Sequence, residues 1–194
     1  MFEHGKLQNL DDYFTELNQR PGRRVYFYRI SGYCEEVRVF LRRYYEAARR
    51  TGVVLEGRIP NPDEQNLAYY EEIMGREFRM EPGFITGSLQ KWLPRMNGLQ
   101  REHVSSALFD TLTDMRRAGK NDHMLKNAYI KFMCWLYYKF ERIVNRLGEE
   151  EVPKILYEGS VSTYELKMLS ILAKAGSDPL KFIIQPARSE ERRG

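Results

Sequence analysis

Two short segments of the chain combine polar side chains with glycine at the end of a predicted strand and in the turn that follows it. The residues that could contact a ligand there are Arg29, Ser31 and Gly32 in the first segment, and Glu158, Gly159, Ser160 and Ser162 in the second. A guanidinium group presents a planar set of donors to phosphate or carboxylate, and the free amides at a helix start also attract anions. The two segments therefore predict a binding site for a small anionic or nucleotide-like metabolite.

Each side chain has a separate expected role in this site. We expect Arg29 and the two glycine turns to contact the anion, while the hydroxyls of Ser160 and Ser162 and the carboxylate of Glu158 orient it. A purely structural interpretation stays open, because glycine and serine are common in turns that bind nothing. Ser162 in particular has the spacing of a helix capping box with the glutamate three residues later.

Motifs for several other chemistries are missing from the sequence. His4, His103 and His123 are far apart, and neither Cys34 nor Cys134 belongs to a CxxC pair, so no metal site is predicted. The chain contains no GxGxxG, GxxxxGK[ST] or GxSxG string, and therefore no dinucleotide fingerprint, P-loop or serine-hydrolase elbow. The sequence assigns no catalytic residue and no cofactor. Cys34 lies where a helix should begin, either as a reactive thiolate or as a small residue packed in the turn.

The elements that position the first segment form a βαβ pattern. Residues 25–30 and 53–55 are rich in β-branched and aromatic side chains and predict strands. Apolar residues recur at helical spacing over residues 34–50 between them, and Gly52 suits the left-handed position that ends a helix.

The second segment lies in a similar pattern near the other end of the chain. Residues 154–157 and 180–184 predict strands, and the helix between them begins at the capping box of Ser162 and Glu165 and ends at Gly176. The two patterns have the same order of strand, turn, helix, glycine and strand, but few identical residues. They are therefore either a structural duplication or two independent βαβ units.

The material between the two units is helical. We expect a helix over residues 63–74, a short helix capped by Ser88, a helix over 102–118, and one continuous helix over 121–147 that is about 40 Å long. A further short helix is predicted over residues 10–17, before the first strand.

Parallel strands require crossover connections, and these patterns therefore predict an α/β fold with an open, mostly parallel sheet. The sheet is built from two βαβ units with a helical insertion between them. We expect the strands that end at residues 30 and 157 to be neighbours, so that their turns open on a common edge. The predicted organisation is an N-terminal helix and turn (1–24), the first βαβ unit (25–60), the helical insertion (61–150), the second unit (151–186) and a disordered tail (187–194).

Composition is that of a globular protein rather than a disordered or membrane-spanning one. Of 194 residues, 42% are hydrophobic and 30% charged, and no run approaches the ~20 apolar residues of a membrane helix. The sparse cysteines and the missing signal peptide predict a cytoplasmic location. The formal net charge of +4 is mild, and acidic residues are scattered among the arginine and tyrosine clusters, so nucleic acid is not a favoured partner.

Three strings carry a family resemblance: LEGRIPNP at residues 55–62, NAYIKFMCWLY at 127–137 and KILYEGS at 154–160. Together they resemble the YceG-like family, which is described as a component of a "biosynthetic module" that accompanies bacterial tellurite and toxic-anion resistance clusters. The resemblance spans residues 25–185 and implies a role in stress resistance, with a possible protein partner from the same module. It brings no established reaction and no assigned catalytic residue, and it implies that the chain is shorter than the other members.

Two functions therefore remain open at the level of sequence. The first is a protein of this resistance module that binds an anionic or nucleotide-like metabolite at the loops after the parallel strands. The alternative is a non-catalytic interaction domain that uses its helical layer and arginine-rich surface to bind another protein.

Overall fold

A computed structural model describes residues 1–65, 67–75 and 77–183. Four strands form one sheet: β1 (Tyr28–Ser31), β2 (Val53–Glu56), β3 (Lys154–Glu158) and β4 (Asp178–Ile183). Every pairing is parallel and the order across the sheet is β1-β4-β3-β2. This confirms the predicted α/β fold with an open parallel sheet. The tail predicted over 187–194 and the last residues of the second unit lie outside the described residues.

Strands β1 and β3 are not neighbours, contrary to the sequence-based expectation. The first connection carries the chain from one edge of the sheet to the other, and the second connection later brings β4 back between β3 and β1. With strands about 4.8 Å apart, β1 and β3 are separated by about 10 Å. The pairing of distant strands is a tertiary property that local residue patterns do not encode.

The two crossover helices pack on opposite faces of the sheet. Helix α1 (Glu35–Thr51) joins β1 to β2, and the last helix of the described chain, at Thr163–Ala175, joins β3 to β4 in the opposite direction across the sheet. Right-handed crossovers that run in opposite directions place their helices on opposite faces. Alternation along the strands matches this, because Leu156 packs in the cluster with α1 while Ile155 packs in the larger core on the other side.

Helix α1 ends at Gly52, but not by the predicted left-handed turn. Gly52 has φ −151°, outside the left-handed region. The glycine is required for a different reason, because a Cβ at this position would overlap the backbone carbonyl oxygen of Lys154 in the adjoining strand β3. Close approach of two backbones therefore fixes this residue.

Between β2 and β3 the described chain forms six α-helices: α2 (Pro62–Gln65), α3 (Leu67–Met74), α4 (Pro82–Trp92), α5 (Gly98–Arg117), α6 (Asp122–Tyr138) and α7 (Glu141–Val144). The helix Thr163–Ala175 is then α8. Ser88 is not a cap but lies inside α4, where its hydroxyl donates to the Phe84 carbonyl at 2.9 Å. Helix α4 instead starts with Pro82 at its first position, where a missing amide costs nothing.

The continuous helix predicted over residues 121–147 is broken. Helix α6 ends at Tyr138 after about 26 Å, and the Phe140 amide donates to the Trp135 carbonyl at 3.1 Å across a turn before α7. Phe140, Ile143 and Val144 all remain buried, so the apolar pattern continues through the break. The periodicity of apolar residues indicates which positions are buried. A single turn inside an apolar stripe does not change this periodicity, so the sequence does not reveal the break.

Two further helices differ from their predictions at their ends or in their type. Helix α5 begins at Gly98 instead of residue 102, because Asn97 and Gln100 form a capping box. The helix predicted over 10–17 is replaced by 3₁₀ turns at Leu10–Phe14 and Leu17–Gln19. A segment this short is below the length at which an α-helix is stable by itself. Within the described part of the chain, no helix has both the length and the apolar character needed to cross a bilayer.

Candidate functional site

All four strands are parallel, so the turns that contain the predicted site residues lie on one edge of the sheet. The turn after β1 leads to α1 on one face, and the turn after β3 leads to α8 on the other face. Strand β4 lies between β1 and β3, and its end is flanked by these two diverging turns. In open α/β sheets, such a point is where ligands commonly bind.

Arg29 lies beside a second cation on the sheet. In the register of the strands, Arg29 of β1 is opposite Lys181 of β4, which is opposite Tyr157 of β3, so the three residues share the face of α8. Arg29 is exposed and Lys181 is partly buried. Among the described residues, neither side chain has a carboxylate within ion-pair distance. Two unpaired cations on adjacent strands repel each other, and an anion bound between them would relieve that repulsion.

Lys181 was not predicted from the sequence as a site residue. The alternation of Leu180, Lys181 and Phe182 does place the lysine on the face opposite its two neighbours. The signal that was missing is the pairing of β4 with β1, because register between strands about 150 residues apart is not visible in local sequence.

Ser31 and Gly32 follow Arg29 at the edge of the sheet. Ser31 is exposed and closes β1 opposite Ile183. Gly32 has φ 102°, and Gly159 in the turn after β3 has the same value, so both turns use the left-handed conformation that glycine adopts without strain. The Gly159 amide is already used, because it donates to the Phe182 carbonyl at 3.1 Å.

The remaining residues of the second turn are hydrogen-bonded within the protein. The Tyr157 hydroxyl donates to the Ser160 carbonyl at 3.3 Å, and Ser160 itself is exposed. Ser162 caps α8, because its hydroxyl accepts from the Glu165 amide at 3.3 Å and its own amide donates to Glu165 Oε2 at 2.7 Å. The predicted capping box is confirmed.

The start of α1 is less completely capped than the start of α8. Cys34 is the residue before the first turn of α1, and its side chain makes no capping hydrogen bond. Cys34 is exposed, as is Tyr33 before it. The amides of the first turn of α1 are therefore the better-placed donors for an anion at this edge.

Glu158 lies on the opposite face of the sheet from Arg29. It is the register partner of Glu56 in β2, and both belong to the face of α1. Burial, followed by repulsion from Glu56, raises the pKa of Glu158. The structure therefore does not bring Glu158 together with Arg29 on one face. Instead, Glu158 and Glu56 lie on the face of the sheet opposite Arg29 and Lys181.

Glu165 connects the turn after β2 to the start of α8. Its side chain accepts from the Ile59 amide at 2.5 Å as well as from the Ser162 amide. Burial opposes ionisation of Glu165, but hydrogen bonds from Ser162, Ile59 and Tyr157 outweigh it and lower the pKa of the carboxyl. Glu165 is thus a fixed internal anion that holds two loops of this edge together.

A second cluster of charged residues lies at the other edge of the sheet, where β3 and β4 begin. Asp178 accepts two bonds from the Arg20 guanidinium, at 2.9 and 2.7 Å, and one from Lys154 Nζ at 2.8 Å. The Tyr26 amide donates to the same carboxylate at 2.8 Å. Arg20, Lys154 and Asp178 are all buried. No sequence motif marks this cluster, because its members are 158 and 24 residues apart.

In the described ranges, no group of three or more histidine, cysteine, aspartate or glutamate residues is arranged to hold a metal ion. Cys134 is buried, which raises the pKa of its thiol to about 12. No protein-family model, curated protein or solved structure matches the chain.

Proposed function

We propose that the protein binds a small anionic or nucleotide-like metabolite at the edge of the sheet where the strands end. The observation that carries the proposal is the pair of cations Arg29 and Lys181, which lie side by side between the two diverging turns without ion-pair partners among the described residues. Arginine supplies the planar donors that suit a phosphate or carboxylate group. The adjoining start of α1 adds amides and the positive end of the helix dipole.

A nucleotide-like ligand also accounts for the acidic side of this edge. Glu158 and Glu56 lie on the other face of the sheet, two and three strands from Arg29 respectively. Carboxylates at strand ends accept hydrogen bonds from ribose hydroxyls in dinucleotide-binding folds. We therefore assign the anionic part of the ligand to the Arg29 side and its hydroxyl-bearing part to the Glu158 side.

The biological setting proposed here is the one that the family resemblance implies. The strings at residues 55–62 and 154–160 include the ends of β2 and β3, and so contribute directly to the proposed binding edge. Under this proposal the protein acts in the cytoplasm in a toxic-anion stress-resistance module and handles a metabolite of that module, with a protein of the same module as a further possible partner. The resemblance supplies no reaction, and none is proposed.

The proposal is tested by ligand-induced stabilisation of the full chain. Thermal unfolding is followed with inorganic phosphate and with ADP as probes, for the wild type and for Arg29→Ala. A ligand at 100 times its dissociation constant stabilises a protein by about 2.7 kcal/mol. We expect the probe-induced shift in Tm to be lost in Arg29→Ala, because the substitution removes the main anion donor. Arg117→Ala is the matched control, since Arg117 is an exposed arginine at the end of α5.

Equal shifts in the wild type and Arg29→Ala would refute the assignment of the ligand to this edge. If neither these probes nor a broad set of anionic metabolites shifts the wild-type Tm, the proposal fails and the interaction-domain alternative takes its place.

A further inference from the structure

A small cavity of about 210 Å³ lies between the loop that follows β2 and helix α6. The polar side chains that line it are Asn61, Asp63, Tyr70, Asn127 and Lys131. Strand β2 and strand β1, which carries Arg29, are the two outer strands of the sheet. The cavity is therefore separate from the proposed metabolite site, and the proposed function does not use it.

The loop on one side of the cavity is held against the helices by hydrogen bonds. The Pro60 carbonyl accepts from Trp135 Nε1 at 2.9 Å and from the Tyr138 hydroxyl at 2.7 Å, and both donors belong to α6. The Ile59 amide donates to Glu165 in the first turn of α8. These bonds fix the loop relative to α6 without a ligand, so the cavity is formed in advance, as in most small-molecule sites.

Lys131 brings a positive charge to this cavity without an anionic partner. Its ammonium nitrogen lies over the rings of Tyr164 and Trp135, at 5.0 and 5.6 Å from their centroids, and donates to Asn61 Oδ1 at 3.4 Å. In the part of the chain that the structure describes, no carboxylate lies within ion-pair distance of this nitrogen. An ammonium group has three N–H donors, so one long hydrogen bond leaves the other donors available to a ligand.

Asp63, in the first turn of α2, brings a negative charge to the same cavity. Among the described residues it has no ion-pair partner, and Lys131 is also beyond ion-pair distance from it. Its neighbour Glu64, in contrast, pairs with Arg58 at 3.1 Å. The two charges that line the cavity sum to zero but do not reach each other. This arrangement favours a ligand that carries both charges over one with a net charge.

We propose that this cavity binds a small zwitterion of the α-amino acid type, with its carboxylate at Lys131 and its ammonium group at Asp63. Such a molecule carries both charges a few bonds apart, so it bridges two groups that do not touch, and each contact is a charge-assisted hydrogen bond. The amides of Asn61 and Asn127 both donate and accept, and therefore suit either end of the ligand. The volume is below the ~300–1,000 Å³ of pockets for drug-sized ligands, and Ile130 offers an apolar contact to a short side chain.

The test is a calorimetric titration of the full chain with glycine, L-alanine and L-serine as probes. We expect binding of at least one probe, and Lys131→Gln and Asp63→Asn should each weaken it roughly tenfold or more, because each removes a charged partner. Lys126→Gln is the matched control: it removes a lysine of the same helix that does not line the cavity, and it should leave the affinity unchanged. Asp63 is exposed and Lys131 only partly buried, so the variants should fold.

Analogues of the tightest probe test the two charges of the ligand. For L-alanine these are propionate, which lacks the ammonium group, and ethylamine, which lacks the carboxylate. Both should bind the wild type at least tenfold more weakly than L-alanine does. The preference for L-alanine over propionate should shrink in Asp63→Asn, and the preference over ethylamine should shrink in Lys131→Gln, because each variant has lost the partner of the missing group.

Four results would overturn the inference. They are no binding of any of the three probes to the wild type, equal affinities for Lys131→Gln and Lys126→Gln, undiminished binding by Asp63→Asn, and binding that is lost in Arg29→Ala. Retention of amino-acid binding in Arg29→Ala is the expected result, and it holds whether or not phosphate and ADP bind near Arg29. The two proposals therefore fail independently.

Discussion

At the scale of single residues, Asp178 is an internal anion around which two distant parts of the chain are fixed. Both of its carboxylate oxygens accept two hydrogen bonds, and the donors come from Arg20, Tyr26 and Lys154. Its backbone carbonyl accepts a further bond from the Tyr44 hydroxyl at 2.5 Å. One side chain thus joins the N-terminal 3₁₀ segment, the region before β1, and strands β3 and β4.

Removal of the charge of Asp178 should therefore destabilise the protein strongly. In Asp178→Asn, Arg20 and Lys154 remain as two buried cations without their anion, and we expect the free energy of unfolding to fall by about 3–5 kcal/mol. Urea denaturation at neutral pH measures this difference. Asp114→Asn is the control, because Asp114 pairs with Arg117 at the surface and should change stability by less than about 1 kcal/mol. Similar losses in the two variants would contradict the role assigned to Asp178.

At the scale of elements, the glycines Gly52 and Gly87 differ in whether packing requires a residue without a side chain. Gly52 joins α1 to β2, where the carbonyl of Lys154 occupies the space that a side chain would need. Gly87 lies inside α4, has no left-handed φ, and a Cβ there would meet nothing within 4 Å. Packing therefore requires the first glycine and gives no reason for the second.

Alanine substitutions should separate these two cases. Gly52→Ala should lower stability by about 3 kcal/mol or more, because the strand pairing prevents the two backbones from moving apart. Gly87→Ala should raise stability by about 0.5–1 kcal/mol, since alanine costs less backbone entropy in a helix interior. Urea denaturation midpoints of the two variants give the comparison. A tolerated Gly52→Ala would mean that the junction of α1 with β2 is able to move.

The elements also show which parts of the fold the sequence predicts. The start of α8 was predicted correctly because Ser162 and Glu165 contact each other within a single turn. The turn at Phe140 was missed because it leaves the apolar pattern intact, and the position of β4 was missed because strand pairing depends on contacts between distant residues. The candidate site follows the same division: Arg29 and the glycine turns were found from local patterns, whereas Lys181 and the Asp178 cluster were not.

At the scale of the whole molecule, the sheet separates two cores of different character. The larger core contains the aliphatic and aromatic residues of the helical layer and α8, while the smaller one is dominated by aromatic rings under α1. In the smaller core, the Tyr13 ring meets those of Tyr26 and Tyr44 edge to face, at 5.5 and 5.2 Å between centroids. The Tyr44 hydroxyl donates to the backbone carbonyl of Asp178, so this core adjoins the buried charged cluster.

The buried tyrosines make the stability of the protein sensitive to alkaline pH. Burial, assisted by the charge of Asp178, raises the pKa of Tyr13 well above its ordinary value, and burial has the same effect on Tyr44. An unfolded tyrosine ionises near pH 10, so the unfolded state binds fewer protons above that pH and stability falls as pH rises. The lowered pKa of Lys154 makes stability rise with pH. This increase is complete once the pH passes the ordinary lysine value of about 10.4.

We therefore expect the urea midpoint to fall between about pH 10 and pH 12. The part of the tyrosinate absorbance that comes from the buried rings of Tyr13 and Tyr44 should increase together with unfolding rather than before it. Tyr44→Phe should reduce this dependence on pH, whereas Tyr33→Phe should not, because Tyr33 is 63% exposed. A midpoint that stays constant through this range would contradict the assigned burial of the ring hydroxyls.

The position of β1 in the sheet has a consequence for synthesis on the ribosome. Its neighbour in the sheet is β4, and Tyr28 pairs with Leu180 about 150 residues later. At about 5–20 residues per second, translation leaves β1 without that neighbour for on the order of ten seconds after it emerges. During that interval its unpaired backbone groups are open to other chains, and a chaperone that shields nascent strands would raise the yield of native protein.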